Sequence, residues 1–195
     1  MRILKRALGP QSSRPSQPSI DPEHIQSVTL TPLVVAFLKE QMDLPGRTRG
    51  GLLFGHHHKD NLHVLLASSG GQPWWYRPGD KSWVLEIDQR FTMGWSEAVL
   101  QVLQGYADWC ANWVIFPDEQ LGDEKRARRW LRHGARLGVI DDRHPLLVAG
   151  FDPERFAVQA WFHYPDEPLM TPCILAEGTL ATTLRDLADL IDAAE

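Results

Sequence analysis

Short apolar runs separated by turn residues predict the strands of this chain. Gly50–Gly55 is apolar with glycines at both ends, and Leu62–Ala67 alternates after a polar turn at His57–Asn61. The two runs predict an antiparallel hairpin. Further strands are predicted at Trp83–Asp88, Trp113–Phe116, Leu146–Ala149 and Phe156–Phe162.

Helical periodicity predicts four helices. The first begins with Thr31 as N-cap and Pro32 at the first helical position, and it ends before Pro45-Gly46. The others are predicted at Phe91–Tyr106, Asp123–Arg136 and Thr179–Ala194. This order of helices and strands predicts one α+β domain, built on a single mixed β-sheet flanked by helices on both sides.

Composition narrows the class of protein. The 195 residues are 43% hydrophobic, which suits one domain, predicted to span residues 23–195. Residues 1–22 are rich in Pro, Ser and Gln and predict a disordered tail. The net charge of −5 argues against a general polyanion binder. Two cysteines without metal-ligand spacing favour a reduced, cytoplasmic protein, and no apolar run approaches the ~20 residues of a membrane span.

Five features occur in a recognisable order: the Gly50–Gly55 strand, its return strand, the aromatic loop Pro73–Pro78 before Trp83–Asp88, a long helix, and a strand from Trp113 that ends at Pro117. Together they cover roughly residues 31–162. In this order and spacing the chain resembles the MPN/JAB (Mov34) domain, most closely its prokaryotic branch. The resemblance implies the cytidine deaminase-like core of that family.

The resemblance also implies where a catalytic centre would lie. Active members bind zinc through a His-x-His-Pro strand and an aspartate, while a glutamate near the first strand activates the zinc-bound water. Zinc with one open position lowers the pKa of that water to about 7, and a carboxylate then moves its proton. The glutamate position falls here on Thr48, or on Arg47 or Arg49 with a shifted register. None of these three side chains is a base of the required kind.

The zinc-ligand positions have changed as well. The His-x-His-Pro strand corresponds to Val114, Phe116 and Pro117, and the family's serine and aspartate fall within residues 122–128, which contain Asp123. Valine and phenylalanine cannot bind a metal. We therefore expect Val114 and Phe116 to line a closed apolar cleft that faces Thr48 and Asp123.

This pattern of losses predicts a catalytically inactive, MPN/JAB-like pseudoenzyme that acts as a protein-interaction or scaffold subunit. The resemblance implies a protein partner, either another MPN-type domain or a member of a bacterial ubiquitin-like or mobile-element system. One candidate surface is the aromatic loop with Trp74, Trp75, Tyr76 and Arg77. The other is a basic stripe on the third predicted helix, which is also explained by a solvated face. It consists of Lys125, Arg128, Arg129, Arg132 and Arg136.

Two alternative functions stay open. A metal-dependent peptidase or isopeptidase could use a relocated zinc or nickel site drawn from His56, His58, His63, Asp118 and Asp123. A solvated hairpin tip explains the same histidines. A nucleic-acid-associated protein could instead use the basic stripe and the tail.

Other chemistries have little support in the sequence. No Gly-x-Ser-x-Gly, P-loop or Gly-x-Gly-x-x-Gly motif is present. Cys110 is expected at a helix end, buried and without a histidine partner. The polar cluster Asp141–Pro145 is expected to form a turn.

Overall fold

A computed structural model describes residues 25–43, 48–71, 87–121, 123–164 and 167–178, together with Arg185 and Ala188. The strands are β1 (Ser27–Leu30), β2 (Arg49–His58), β3 (Asn61–Ser69), β4 (Asp108–Ile115), β5 (Leu146–Asp152), β6 (Arg155–Phe162), β7 (Leu169–Pro172) and β8 (Ile174–Leu175). The helices are α1 (Pro32–Met42), α2 (Gln89–Val102) and α3 (Glu124–Leu137).

All eight described strands belong to one mixed sheet, in the order β7-β6-β5-β4-β2-β3-β1-β8. β1 runs parallel to β3 and β8, β4 runs parallel to β5, and the other neighbours are antiparallel. β7 and β8 stand at opposite ends of this order, yet only Cys173 separates them in the chain. The sheet must therefore curl until its two ends meet, which gives it a nearly barrel-like shape.

The two faces of the curled sheet carry separate apolar clusters. Side chains from β1 to β6 form the largest cluster around α1, whose Val34 and Leu38 are fully buried on the inside of the curl. On the outer face, α3 covers β4, β5 and β6 with Ala127 and Leu131, while Val99 belongs to the cluster between α2 and the β2–β3 hairpin. The expected α+β architecture, a single mixed sheet with helices on both faces, is confirmed.

Local sequence signals explain several element ends. Thr31 accepts a hydrogen bond from the Val34 backbone N–H at the start of α1, with Pro32 as the first helical residue. Asp123 caps α3, which ends at Gly138 with φ +71°, a conformation that glycine adopts without strain. The β2–β3 hairpin is also confirmed, but its turn is only Lys59-Asp60, so His57 and His58 belong to the strand.

Three strands and three boundaries differ from the sequence-based prediction. Strands β1, β7 and β8 were not predicted, because each has only two to four residues, and β1 and β8 also pair with segments far away in the chain. Cys110 is buried as expected but lies within β4, not at a helix end. Asp88, predicted to end a strand, caps α2, and the helix predicted to reach Tyr106 ends at Val102.

Several predicted features lie outside the described residues. These are the tail 1–22, most of the strand at 83–88 and the aromatic loop with Trp74, Trp75, Tyr76 and Arg77. Of the helix at 179–194, only Arg185 and Ala188 are described, and both are helical. Among the helices that are described, none combines the length and the apolar character needed to cross a membrane.

Candidate functional site

The β2–β4 register places the residues named by the family resemblance. Arg49 pairs with Ile115 and Gly50 pairs with Val114 across the antiparallel ladder. Val114 is therefore adjacent to the Gly50–Gly55 strand, as expected. Because cross-strand partners share a face and side chains alternate along a strand, Val114 lies on the face covered by α3.

Continuing this register by one residue sets Thr48 opposite Phe116, on the same face as Val114. Arg49 faces the other way, and its Nη1 donates a hydrogen bond to the Met42 carbonyl at the end of α1, at 3.4 Å. Of the described positions that the resemblance assigns to the glutamate, Thr48 alone shares the face of Val114 and Phe116. Arg47, the third candidate, lies outside the described residues.

Val114 and Phe116 are buried among apolar side chains. Val114 is fully buried, and Phe116 is 2% exposed. Both belong to one apolar cluster on the outer face of the sheet, and Thr48, opposite Phe116, is also buried. The other buried members are Leu121, Ala127, Leu131, Ile140, Leu146, Val148 and Trp161. At this end of β4, Val114 and Phe116 are therefore part of a packed apolar core.

A charged side chain completes the seal. The guanidinium of Arg126 lies 4.1 Å from the centre of the Phe116 ring, within the range of a cation–π contact. Its two Nη atoms donate to the Asp118 carboxylate at 2.9 and 3.0 Å. Burial raises the pKa of Asp118, but the hydrogen bonds from Arg126 and the Gln120 backbone outweigh it and lower that pKa overall. Arg126 therefore closes the cleft over Phe116 as part of an ion pair.

The expectation that the cleft also faces Asp123 is not met. Asp123 is exposed, and its Oδ1 accepts the Arg126 backbone N–H at 3.0 Å as the cap of α3. Ala127, one turn further along the helix, occupies the buried cluster instead. Neither the apolar pair nor Thr48 together with Asp123 provides the donor set of a zinc site.

A second ion pair lies beside the cleft. Nη2 of the buried Arg49 donates to the Glu119 carboxylate at 2.9 Å. Glu119 has φ +58°, and its carbonyl accepts the Phe151 backbone N–H at 2.7 Å. Glu119 and Arg126 were not predicted from the sequence. Neither belongs to a recognisable motif, because Glu119 pairs with Arg49 on β2, and Arg126 pairs with Asp118 on the loop after β4.

Histidines gather at the opposite end of the β2–β4 pair, about 23 Å away along β2. His56 and His63 are cross-strand partners with parallel rings 5.2 Å apart, and His58 meets His63 edge-on at 6.3 Å. The Tyr106 hydroxyl lies 3.3 Å from His56 Nε2. Burial, then repulsion from His63 and the other neighbouring histidines, lowers the pKa of His56 to about 4.

The histidine cluster does not have the arrangement of a metal centre. His56 and His63 are stacked, so their nitrogens do not point toward a common position, and His63 Nε2 is 2.8 Å from Asn61 Nδ2. No three His, Cys, Asp or Glu side chains among the described residues are placed to hold an ion. Asp118 lies at the other end of β4, bonded to Arg126, so the structure does not bring the proposed relocated site together.

Asp141 and His144 form the turn expected between α3 and β5. Asp141 Oδ1 accepts from His144 Nδ1 at 2.9 Å and from two backbone N–H groups. Burial opposes ionisation, but these hydrogen bonds hold the pKa of Asp141 far below its ordinary range. The His144 ring stacks on Trp109 at 4.4 Å. The cluster therefore closes the turn between α3 and β5.

The basic stripe lies on the outward side of α3, as the helical spacing predicts. Lys125, Arg129, Arg132 and Arg136 are exposed, while Arg128 is half-buried. Arg128 pairs with Glu124 at 2.7 Å, and its guanidinium lies 6.0 Å from the Trp161 ring. These five cations form one surface, which we call the α3 basic face.

Comparisons with known proteins bear on the fold alone. No family model matches the sequence, and no curated protein matches it. Among 105 matching solved chains is the solution structure of protein DSY2949 from Desulfitobacterium hafniense. It is 15% identical, with a TM-score of 0.55 over 80% of this chain and 97% of that chain. The comparison shows that the chain shares a fold with known structures. It does not indicate a function, because proteins that share a fold at such low identity often have unrelated functions.

Proposed function

We propose that this chain is a catalytically inactive, MPN/JAB-like domain with a cytidine deaminase-like core that acts as a protein-interaction or scaffold subunit. The observation that carries the proposal is the burial of Val114 and Phe116 at the end of β4. In the family that the chain resembles, these positions hold the zinc-binding histidines. Hydrocarbon cannot replace them, and hydrolysis of this type depends on the metal-bound water.

The order of elements supports the same proposal. A helix, a hairpin, a second helix, the β4 strand and a third helix follow one another as the resemblance requires. Extending the β2–β4 register by one residue puts Thr48 on the face of Val114, so the positions that the resemblance assigns to the glutamate and the first histidine lie near each other. Two free cysteines suit a reducing cytoplasm.

The partner proposed from the resemblance is another MPN-type domain or a protein of a bacterial ubiquitin-like system. Isolation of the full chain from its native host, followed by size-exclusion chromatography with mass measurement, tests this. We expect a stoichiometric complex with one defined protein. A strictly monomeric chain at all stages of purification would contradict the scaffold role.

Metal content and activity test the inactive state. We expect zinc and nickel far below one per chain, and no cleavage of ubiquitin-like isopeptide or peptide substrates after incubation with zinc. One tightly bound zinc that His56→Ala removes, while the surface control His133→Ala keeps it, would overturn the proposal. That result would favour a metal-dependent peptidase with a relocated site.

A further inference from the structure

A groove of about 300 Å³ adjoins the α3 basic face. It lies between the start of α3 and strands β6 and β7. Leu121, Trp161 and Met170 supply its apolar lining, and Glu124, Arg128 and Gln159 supply polar groups. Met170 is 40% exposed. The groove therefore combines an apolar lining with the Arg128–Glu124 ion pair, and the remaining cations of the α3 basic face lie beside it.

The groove contains a hydrogen-bond donor that the fold does not use. Trp161 is 3% exposed, and its indole Nε1 is buried without a hydrogen-bond partner in the described part of the chain. A buried donor left unsatisfied destabilises the folded protein by roughly 1–3 kcal/mol. Because this atom is closed off from solvent, an acceptor oxygen on a molecule in the groove reaches it only when the indole turns toward the groove.

Most charges on the α3 basic face are not used by the fold either. Arg128 alone pairs with carboxylates, Glu124 at 2.7 Å and Glu167 at 3.9 Å. For Lys125, Arg129, Arg132 and Arg136, no carboxylate lies within 4 Å among the residues that the structure describes. A second hollow of about 440 Å³, lined by Asp123 and Glu124 as well as by cations, joins the groove to Lys125 and Arg132. The cations and the groove thus form one continuous surface.

We infer that the α3 basic face and its groove bind an acidic, extended segment of a partner protein, with one apolar side chain in the groove. The inference rests on the proposed interaction function and names the chemistry of the partner. From Lys125 to Arg136 the helix rises about 16 Å, which an extended segment of about five residues spans. Carboxylates on that segment pair with Arg129 and Arg132, and a carbonyl oxygen accepts from Trp161 Nε1.

A protein segment fits this surface better than a nucleic acid does. The groove has an apolar lining of Leu121, Trp161 and Met170, which suits an apolar side chain of a protein and offers little to a phosphate backbone. The chain carries a net charge of −5, which opposes the approach of a long polyanion. A short acidic peptide contacts the cations of the α3 basic face and extends little over the negatively charged remainder of the surface.

Fluorescence anisotropy on the full chain tests the inference. The probe is a fluorescein-labelled peptide, Asp-Glu-Asp-Leu-Glu-Asp-Glu, and its matched control replaces each acid by Asn or Gln. We expect the acidic probe to bind at least about tenfold more tightly, and its affinity to fall as sodium chloride rises. Equal binding of both peptides would overturn the inference.

Charge reversal locates the contact. Arg129→Glu with Arg132→Glu is expected to weaken binding of the acidic probe about tenfold or more. The matched control, Arg90→Glu with Arg155→Glu, makes the same change in net charge at exposed sites away from α3 and is expected to leave affinity unchanged. A similar loss in both variants would show an effect of net charge and overturn the assignment to the α3 basic face.

Trp161→Phe keeps an aromatic ring but removes the indole donor. We expect a twofold to fivefold loss of affinity for the acidic probe, with thermal unfolding recorded to confirm that the variant is folded. An unchanged affinity in the folded variant would remove Trp161 from the site. A single-stranded oligonucleotide that binds more tightly than the acidic probe, and loses binding with Arg129→Glu and Arg132→Glu, would replace the protein partner by a nucleic acid.

The two proposals can fail separately. A host complex that survives Arg129→Glu with Arg132→Glu, in a protein that does not bind the acidic probe, would overturn the α3 surface and leave the scaffold role standing. Zinc-dependent hydrolysis would overturn the inactive state whatever the probe does.

Discussion

The two ends of the β2–β4 strand pair carry opposite chemistry. At one end, Val114 and Phe116 are buried under α3. At the other end, His56 and His63 stack beside Tyr106, and all three side chains are half-buried. The first end is enclosed and apolar, and it lacks metal-binding donors. The second end has the donors and lacks a shape that would converge them.

This difference shows that side-chain type and geometry have to coincide before a site can act. The clustered histidines suggest a metal site in the sequence, but their rings are stacked and do not converge on one position. The apolar end contains no metal-binding side chain, yet it lies where the resemblance would put a metal. Variants at the two ends, and on the helix that covers one of them, should therefore differ in their free energy of unfolding.

The largest expected effect comes from opening the sealed end. Phe116→Ala removes a ring that is 2% exposed, and we expect the free energy of unfolding to fall by about 3–4 kcal/mol, because a buried cavity is left. Urea denaturation measures it. Phe91→Ala is the matched control, since Phe91 is 41% exposed on α2, and it should lower stability by less than about 1 kcal/mol. Equal losses would show that Phe116 is not sealed.

Removing the cation over that ring should have a smaller effect. Arg126→Ala takes away the contact with Phe116 and the ion pair with Asp118, and a loss of about 1–2 kcal/mol is expected. Arg129→Ala, an exposed arginine on the same helix, should change stability by no more than about 0.5 kcal/mol. In a Phe116→Ala background the Arg126→Ala effect should shrink, and full additivity would rule out their coupling.

The histidine end should respond to pH. The pKa of His56 is about 4 in the folded protein, below its ordinary value of 6.5, so the unfolded chain binds this proton more readily. The free energy of unfolding therefore falls as pH drops from 6.5 toward 4, and this group contributes no pH dependence above that window. Between about pH 7.5 and 5, the wild-type chain should lose about 1 kcal/mol more than His56→Asn.

Urea denaturation at the two pH values measures this difference. The control variant His133→Asn changes an exposed histidine on α3 and should keep the wild-type pH dependence. If His56→Asn were as pH-sensitive as the wild-type chain, His56 would not be the group that links protonation to stability at this end.

The smallest effect on stability is expected on the outward side of α3. Arg129→Glu with Arg132→Glu should change the free energy of unfolding by less than about 0.5 kcal/mol, because both side chains are exposed and neither pairs with a described carboxylate. Thermal unfolding at two salt concentrations checks this. A loss above about 2 kcal/mol would mean that these cations stabilise the fold and are not free for a partner.

Elements with strong local signals were predictable from the sequence. Thr31-Pro32 marks the start of α1, Asp123 marks the start of α3, and the apolar runs of β2 and β3 form the expected hairpin. Strand β1 was not, because its four residues gain stability only by pairing in parallel with β3, more than thirty residues away. The same reason applies to β8, which pairs with β1, whereas β7 pairs with the neighbouring β6 and is missed because it has only four residues.

The candidate site shows the same division between local and distant information. That Val114 and Phe116 are apolar is plain in the sequence, and their alternation puts them on one face of a strand. The placement of Arg126 over Phe116 was not predictable, because it depends on how α3 packs across the sheet. Asp123 was expected to face the cleft, but capping turns its carboxylate toward the start of the helix.

Side-chain type alone decides that Val114 and Phe116 bind no metal. Caps and periodicity also act over a few residues, so they indicate the local elements directly. Which residue beside Gly50 shares the face of Val114 depends instead on how β2 pairs with β4, and that pairing turns Arg49 to the opposite face. A shift of one residue in strand register would exchange the two faces, and that register is set by packing between segments far apart in the chain.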